Sequence, residues 1–173
     1  MLELQKEELL FMNNEIVFHN IEPVYDQDSE ILILGSFPSV KSRETQFFYG
    51  HPQNRFWKVL SNILDERMPL TIEEKKQMLL KHHIAVWDVI ASCTITGSSD
   101  SSIKDVVPND LEKLLKTSKI RKIFANGATA YKLYDRYSCK RTGISAIKLP
   151  STSPANAAFR LERLIDAWKI INE

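Results

Sequence analysis

Asn54 stands in the string Phe47-Phe-Tyr-Gly-His-Pro-Gln-Asn-Arg-Phe-Trp57, an amide set among aromatic rings and ahead of an apolar stretch with helical spacing. An amide both donates and accepts hydrogen bonds. In the first turn of a helix it works in the positive field of the backbone dipole, which favours negative charge developing on a departing group. A helix cap is the plain alternative, since asparagine is strongly preferred there. Phe47, Phe48 and Tyr49 precede the helix, where a planar ligand could stack on them; Phe56 and Trp57 fall on its apolar stripe and belong to the core.

Two other segments have useful chemistry. Gly35-Ser-Phe-Pro-Ser39 bends sharply after an apolar run, where glycine permits close backbone approach and proline fixes the turn, so it can wall a pocket. Pro150-Ser-Thr-Ser-Pro-Ala-Asn156 offers hydroxyls and backbone N–H groups of the kind that hold phosphate, although the same residues form ordinary turns. Softer candidates are Asn126 at a strand end as a hydrogen-bonding amide, Asp100 for orienting the pocket, and Asp88 as a nearby carboxylate; turn and cap roles compete for all three.

The elements that would position these segments follow from periodicity. Ile31–Gly35 is a continuous apolar run, as in a strand buried on both faces. The apolar residues Phe56, Trp57, Val59, Leu60, Ile63 and Leu64 recur with helical spacing, after a His51-Pro52 that suits a helix start. Thr71-Ile-Glu-Glu74 is a capping box opening a helix that runs to about Lys81. His83–Ile90 reads as one strand, Asn109–Glu112 as a cap, Ile120–Ala125 as a strand, Ala128–Tyr137 as a helix, Gly143–Leu149 as a strand, and Ala157–Ile171 as the closing helix. Residues 1–14 read as a short helix within an extension, residues 1–18, ahead of a single domain, residues 19–173. Alternating strands and helices predict an α/β fold, α/β/α in three layers around a mostly parallel four-stranded sheet, with ligands at the carboxyl ends of the strands.

Composition removes several classes. The 173 residues, 43% hydrophobic and 26% charged, suit one globular domain with no membrane partner. The opening MLELQKEELLFMNNE does not resemble a cleavable signal, so a cytoplasmic, nucleoid-associated location is expected. Cys93 and Cys139 form no framework, and His19, His51, His82 and His83 show no metal-ligand spacing, so neither metal nor cofactor is expected. The net charge of +1 demands no polyanionic partner, and the basic clusters at 116–122 and 132–141 read as solvated surface. G-x-G-x-x-G, G-x-x-x-x-G-K-[ST] and G-x-S-x-G are all missing, which weighs against common nucleotide-binding modules and serine hydrolases.

In order along the chain, G-S-F-P-S, S-R, F-F-Y-x-H-P-x-N-R-F-W, W-D-V-I, G-S-x-D-S-x-I and P-S-T-S-P-A-N resemble the hypoxanthine-DNA glycosylase family of the uracil-DNA glycosylase superfamily. The resemblance begins at His19-Asn-Ile-Glu-Pro-Val-Tyr-Asp26 and extends to the end of the chain. The first segment is also similar to mismatch-specific uracil glycosylases, where G-I-N-P-G supplies a water-positioning asparagine; the corresponding residue here is Phe37, which has no hydrogen-bonding group. In many relatives the last motif begins with His or Asn and carries a leucine wedge, places held here by Leu149 and Ser153.

The resemblance implies a DNA partner containing a deaminated base, flipped into a pocket, and Asn54 as the catalytic residue. It implies stacking on Tyr49 or Phe48, a wall made by Gly35, Ser36, Phe37, Pro38 and Ser39, a base-edge contact at Asn126, and contacts to the DNA backbone from Ser42, Ser151, Thr152 and Ser153. Without paired carboxylates in one motif or a lysine facing the pocket, direct attack by water is expected from a monofunctional, monomeric enzyme. Hypoxanthine is the base the resemblance favours, with uracil in mismatches as the alternative. A non-catalytic nucleotide- or DNA-binding α/β module, using Gly35–Ser39 as a phosphate loop, is the reading from another class.

Overall fold

The computed structural model describes residues 15–173; the helix expected over residues 1–14 lies outside the described residues. Ile31–Gly35 (β2) is the hydrophobic centre of a four-stranded sheet in which Ile84–Asp88 (β3), β2, Lys122–Asn126 (β6) and Ala146–Leu149 (β7) lie side by side, all parallel. Its residues alternate between two cores. Ile33 packs with Phe124, Val86, Phe56, Leu60 and Trp168 on one side, while Leu32 and Leu34 pack with Leu111, Leu114, Ile123 and Tyr134 on the other.

Helices cover both faces, giving the three layers expected from the sequence. Phe56–Ile63 (α2) carries a sharply apolar face and packs with Leu161–Trp168 (α7) over the first core. Leu111–Lys116 (α4), capped by Asp110, and Ala128–Tyr137 (α5) cover the second, followed by the short Cys139–Thr142 (α6). Ile72–Lys81 (α3) opens with both capping-box hydrogen bonds between Thr71 and Glu74. Val40–Thr45 (α1), a short helix without an apolar stripe, starts where the Ser39 hydroxyl accepts from the Ser42 N–H.

Three boundaries differ from expectation. The apolar run through 83–90 divides: β3 stays in the parallel sheet, and Ile90–Thr94 (β4) joins an antiparallel three-stranded sheet between Ile16–Phe18 (β1) and Lys104–Pro108 (β5). Buried Asn109 makes this division by donating through Nδ2 to the carbonyls of Asp88 (2.9 Å) and Ile90 (3.1 Å). Residues 16–18, assigned above to the extension, are thus a strand paired with the domain. The closing helix begins at Leu161, because residues 157–160 complete a loop held by Arg55.

β2 is flanked by β3 on one side and β6 on the other, so the chain crosses over in opposite directions from it. The crevice where such connections diverge, outside the carboxyl ends of the strands, is where open α/β sheets bind ligands.

Candidate active site

A cavity of about 320 Å³ opens at that point. Gly35, Ser36, Phe37, Pro38, Ser39, Ser42, Phe48, Tyr49, Asn54, Asn126, Ser151, Thr152 and Ser153 all line it, so the candidates from distant segments converge on one space. His51, Asp88, Ser98, Asp100, Pro154 and Ala155 complete the wall.

Asn54 sits one residue ahead of the α2 cap, Arg55, rather than in the first turn. Its Oδ1 accepts from the Phe56 N–H at 3.0 Å and from the Thr152 hydroxyl at 2.9 Å. Both lone pairs of that oxygen are therefore engaged, and Nδ2, which has no partner among the described residues, is the atom left for a ligand. The Phe56 N–H can only donate, which fixes the amide's orientation. Asn54 is thus both a local turn-former and a presented donor; the acceptor role for water open to an asparagine amide is closed by Phe56 and Thr152.

The hydroxyl-rich loop differs from expectation at one central residue. Thr152 is fully buried, and its N–H and Oγ1 bond the Asn126 amide at 3.0 Å each. No polar group of Thr152 is left for a phosphate, so it is withdrawn from the DNA-backbone contacts. Asn126 is correspondingly engaged by Thr152, with one Nδ2 hydrogen remaining. Ser42 is also buried; its Oγ accepts from the Gly50 N–H at 3.0 Å and from the Ser39 hydroxyl at 3.1 Å, bracing the turn rather than facing phosphate. Ser151 and Ser153 are half-buried and each cap a backbone N–H two residues on, at 3.1 and 3.2 Å.

Arg55 ties this loop to α2. Its guanidinium donates to the carbonyls of Ser153 (2.9 Å), Asn156 (3.1 Å) and Phe159, and its backbone N–H to the Thr152 carbonyl (3.1 Å). The fork of donors on one planar group holds several carbonyls of a curved loop at once, a geometry lysine cannot supply.

On the aromatic wall, Tyr49 stacks on Phe56 with ring centroids 3.9 Å apart, while Phe48 is buried against Phe47 and His19. Tyr49 has a left-handed backbone, φ 53°, and is the more exposed of the two rings. Burial, and then the charge of Asp88, hold its phenol far above the ordinary range against the opposing pull of the nearby Asn126 side chain, so it remains neutral; its hydroxyl is buried and has no hydrogen bond of good geometry among the described residues.

Beneath it lies a buried pair. His19 Nδ1 accepts from the Ile21 N–H at 3.2 Å, which puts the ring proton on Nε2, and Nε2 donates to Asp88 Oδ2 at 2.7 Å. The two side chains are only 4% and 5% exposed. Asp88 Oδ1 has no hydrogen bond among the described residues and borders the cavity against Gly35. A Cβ at residue 35 would stand 2.3 Å from Oδ1 and 3.2 Å from the Tyr49 hydroxyl, so this position has room only for glycine. Next along the chain, the Ser36 hydroxyl donates to Asp100 Oδ1 at 3.1 Å. Among the described residues no cluster of His, Cys, Asp and Glu could hold a metal ion, and no helix is long and apolar enough to cross a membrane.

The uracil DNA glycosylase superfamily profile matches residues 22–172. The chain belongs to the uracil-DNA glycosylase superfamily. Within it, the chain is 39% identical over 142 residues to a hypoxanthine DNA glycosylase of Methanosarcina acetivorans, covering 81% of this chain and 89% of that one. A hypoxanthine DNA glycosylase of Methanosarcina barkeri is 38% identical over 84 residues, 48% of this chain and 53% of that relative. A solution NMR structure of a candidate uracil DNA glycosylase from Methanosarcina acetivorans superposes with a TM-score of 0.75 at 32% identity, over 92% of this chain and 100% of the other. Two histidines carry no motif signal for the site: His51, which lines the cavity, and His19, which lies behind it and bonds Asp88. His19 opens the resemblance, but nothing in its spacing announces a partner 69 residues away.

Proposed function

We propose that the chain is a monofunctional DNA glycosylase that turns deoxyinosine out of DNA and hydrolyses its N-glycosidic bond, acting as a single copy on nucleoid DNA. One observation supports the reading above the rest: a free amide donor, Asn54 Nδ2, and a free carboxylate oxygen, Asp88 Oδ1, line the same cavity. Its volume, about 320 Å³, falls in the range of roughly 300–1,000 Å³ common for small-molecule pockets.

Deaminated bases share a lactam, an N–H beside a carbonyl, where adenine and cytosine carry a bare ring nitrogen. The Asp88 carboxylate oxygen accepts from that N–H and repels the lone pair of adenine or cytosine, so it separates a deaminated base from the amino-bearing base it came from. Extrusion costs a few kcal/mol, least for a weakly paired base, and Tyr49 offers a ring for the displaced base. The glycosidic electron pair then leaves with the base. Asn54 Nδ2 donates to a ring acceptor of the departing base, and the dipole of α2 adds a positive field beside it. Water adds its oxygen to the sugar carbon, and the proton it loses balances the one the free base gains.

The assignment of hypoxanthine rests on the Methanosarcina acetivorans relative, since the lactam contact is common to hypoxanthine, xanthine and uracil. Single-turnover release from duplexes carrying hypoxanthine, xanthine or uracil tests it. Hypoxanthine is expected to be released fastest, with an intact abasic strand as product, and Asn54→Ala should slow that release by roughly 10²–10³-fold, the effect of deleting one preorganised donor. Release of uracil alone would overturn the substrate, and an active Asn54→Ala variant would overturn the role of the amide.

A further inference from the structure

The proton directions around Thr152 are fixed from both ends. The backbone N–H of Phe56 must donate, so Asn54 presents Oδ1 to it; the backbone N–H of Thr152 must donate, so Asn126 presents Oδ1 to it, at 3.0 Å in each case. With Asn126 so oriented, its Nδ2 donates to Thr152 Oγ1 at 3.0 Å. The hydroxyl's own proton then has one acceptor within reach, Asn54 Oδ1 at 2.9 Å. A directed chain results, Asn126 to Thr152 to Asn54, running from the end of β6 to the start of α2.

We propose that Thr152 is a positioning residue whose hydroxyl locks the Asn54 amide with its NH₂ turned to the cavity. The proposal rests on the glycosylase reading of Asn54. Phe56 alone leaves the amide free to swing about its side-chain torsions, whereas a second hydrogen bond from a fully buried hydroxyl fixes the plane of the group. The loop cannot drift, because Arg55 holds the Thr152 carbonyl through its backbone N–H and the two following carbonyl sites through its guanidinium. A base reading that relied on Asn126 alone would leave this hydroxyl without a task; here it transmits the orientation of one strand end to the reacting amide.

Thr152→Val keeps the shape and removes the hydroxyl, and Thr152→Ser restores it. Base release under single-turnover conditions is expected to fall about 10- to 100-fold in Thr152→Val, the consequence of one lost oriented hydrogen bond, with affinity for abasic-site DNA unchanged. Thr152→Ser should return to within a few fold of the unmodified rate. The double variant Asn54→Ala/Thr152→Val should be no slower than Asn54→Ala alone, because Thr152 acts only through that amide. Additive losses, weaker abasic-site binding in Thr152→Val, or a serine variant as slow as the valine variant would each overturn the proposal. In the unmodified protein, an Asn126 side-chain amide proton should exchange slowly by NMR; fast exchange of both would overturn it independently of any variant. Failure of the unmodified protein to release any deaminated base would instead strike the glycosylase reading, and leaves the NMR measurement to decide the hydrogen-bond chain.

Discussion

The two ends of the parallel sheet each carry a hydrogen-bonded acid–base pair of the same length, 2.7 Å, and they serve opposite purposes. At the carboxyl end His19 meets Asp88 with both side chains about nineteen-twentieths buried, beside the 320 Å³ cavity. At the amino end Lys119 meets Asp28 with side chains 64% and 47% exposed, beside a wider groove of about 570 Å³ formed by Glu30, His82, His83, Arg121 and Lys122. The larger hollow is the plainer one. Its neighbouring charges are satisfied in water: Glu66 bonds Lys81 and His82, which pull its carboxyl below the ordinary range, and Lys119 does the same to Asp28. The smaller hollow keeps a polar atom buried and without a hydrogen bond among the described residues, the Tyr49 hydroxyl, which folding alone would not favour. An unpaired buried polar atom facing a cavity marks a ligand site better than volume does.

Removing one partner from each pair sharpens the contrast, and the largest effect is expected at the buried end. His19→Ala strips Asp88 of its donor and leaves a largely buried carboxylate without a partner, a change worth about 3–5 kcal/mol for a broken buried pair. Urea unfolding should show a loss of that size, and His19→Gln, which keeps a donor, should recover part of it. A loss no greater than that of an ordinary surface substitution would mean that water already reaches Asp88, and the distinction between the two ends would collapse.

How much of this was legible in the sequence differs between the same regions. β2 and β6 were visible because strands buried on both faces are unbroken apolar runs, and the Thr71–Glu74 box marked the start of α3 by local chemistry alone. β4 was hidden for the same reason that β3 was seen: the stretch from Val86 through Ile90 is apolar but for Asp88, and the break between sheets is imposed by Asn109, 21 residues from Asp88. In the site, Gly35–Ser39 and Asn54 could be picked out because their residue types stand beside turns and helix starts. Thr152 was misplaced because a run of hydroxyls does not reveal which one points inward. The His19–Asp88 contact, long in sequence and between single residues, leaves no periodic trace at all.

A smaller effect is expected where the same floor is crowded rather than unpaired. Gly35→Ala places a methyl group 2.3 Å from Asp88 Oδ1, so the carboxylate or the strand end must shift. Overpacking of this kind costs about 1–3 kcal/mol, and base release should fall further than stability does, because the displaced oxygen is the one proposed to read the lactam. An alanine variant with unchanged Tm and unchanged release would show that Asp88 moves freely, and so does not define the floor.

The smallest effect belongs to the amino end. Lys119→Ala breaks the 2.7 Å pair with Asp28, but both groups are solvated, salt screens them, and ordering two side chains offsets most of the attraction. The sign of the residual term is set by Asp28, whose folded-state carboxyl lies below its ordinary value: it favours the folded state at neutral pH and is lost as acid carries the pH down through that lowered value. Neither base release nor Tm at neutral pH should change measurably in Lys119→Ala. A drop in base release would assign the wide groove a part in binding DNA, and the carboxyl end of the sheet would no longer be the sole seat of function.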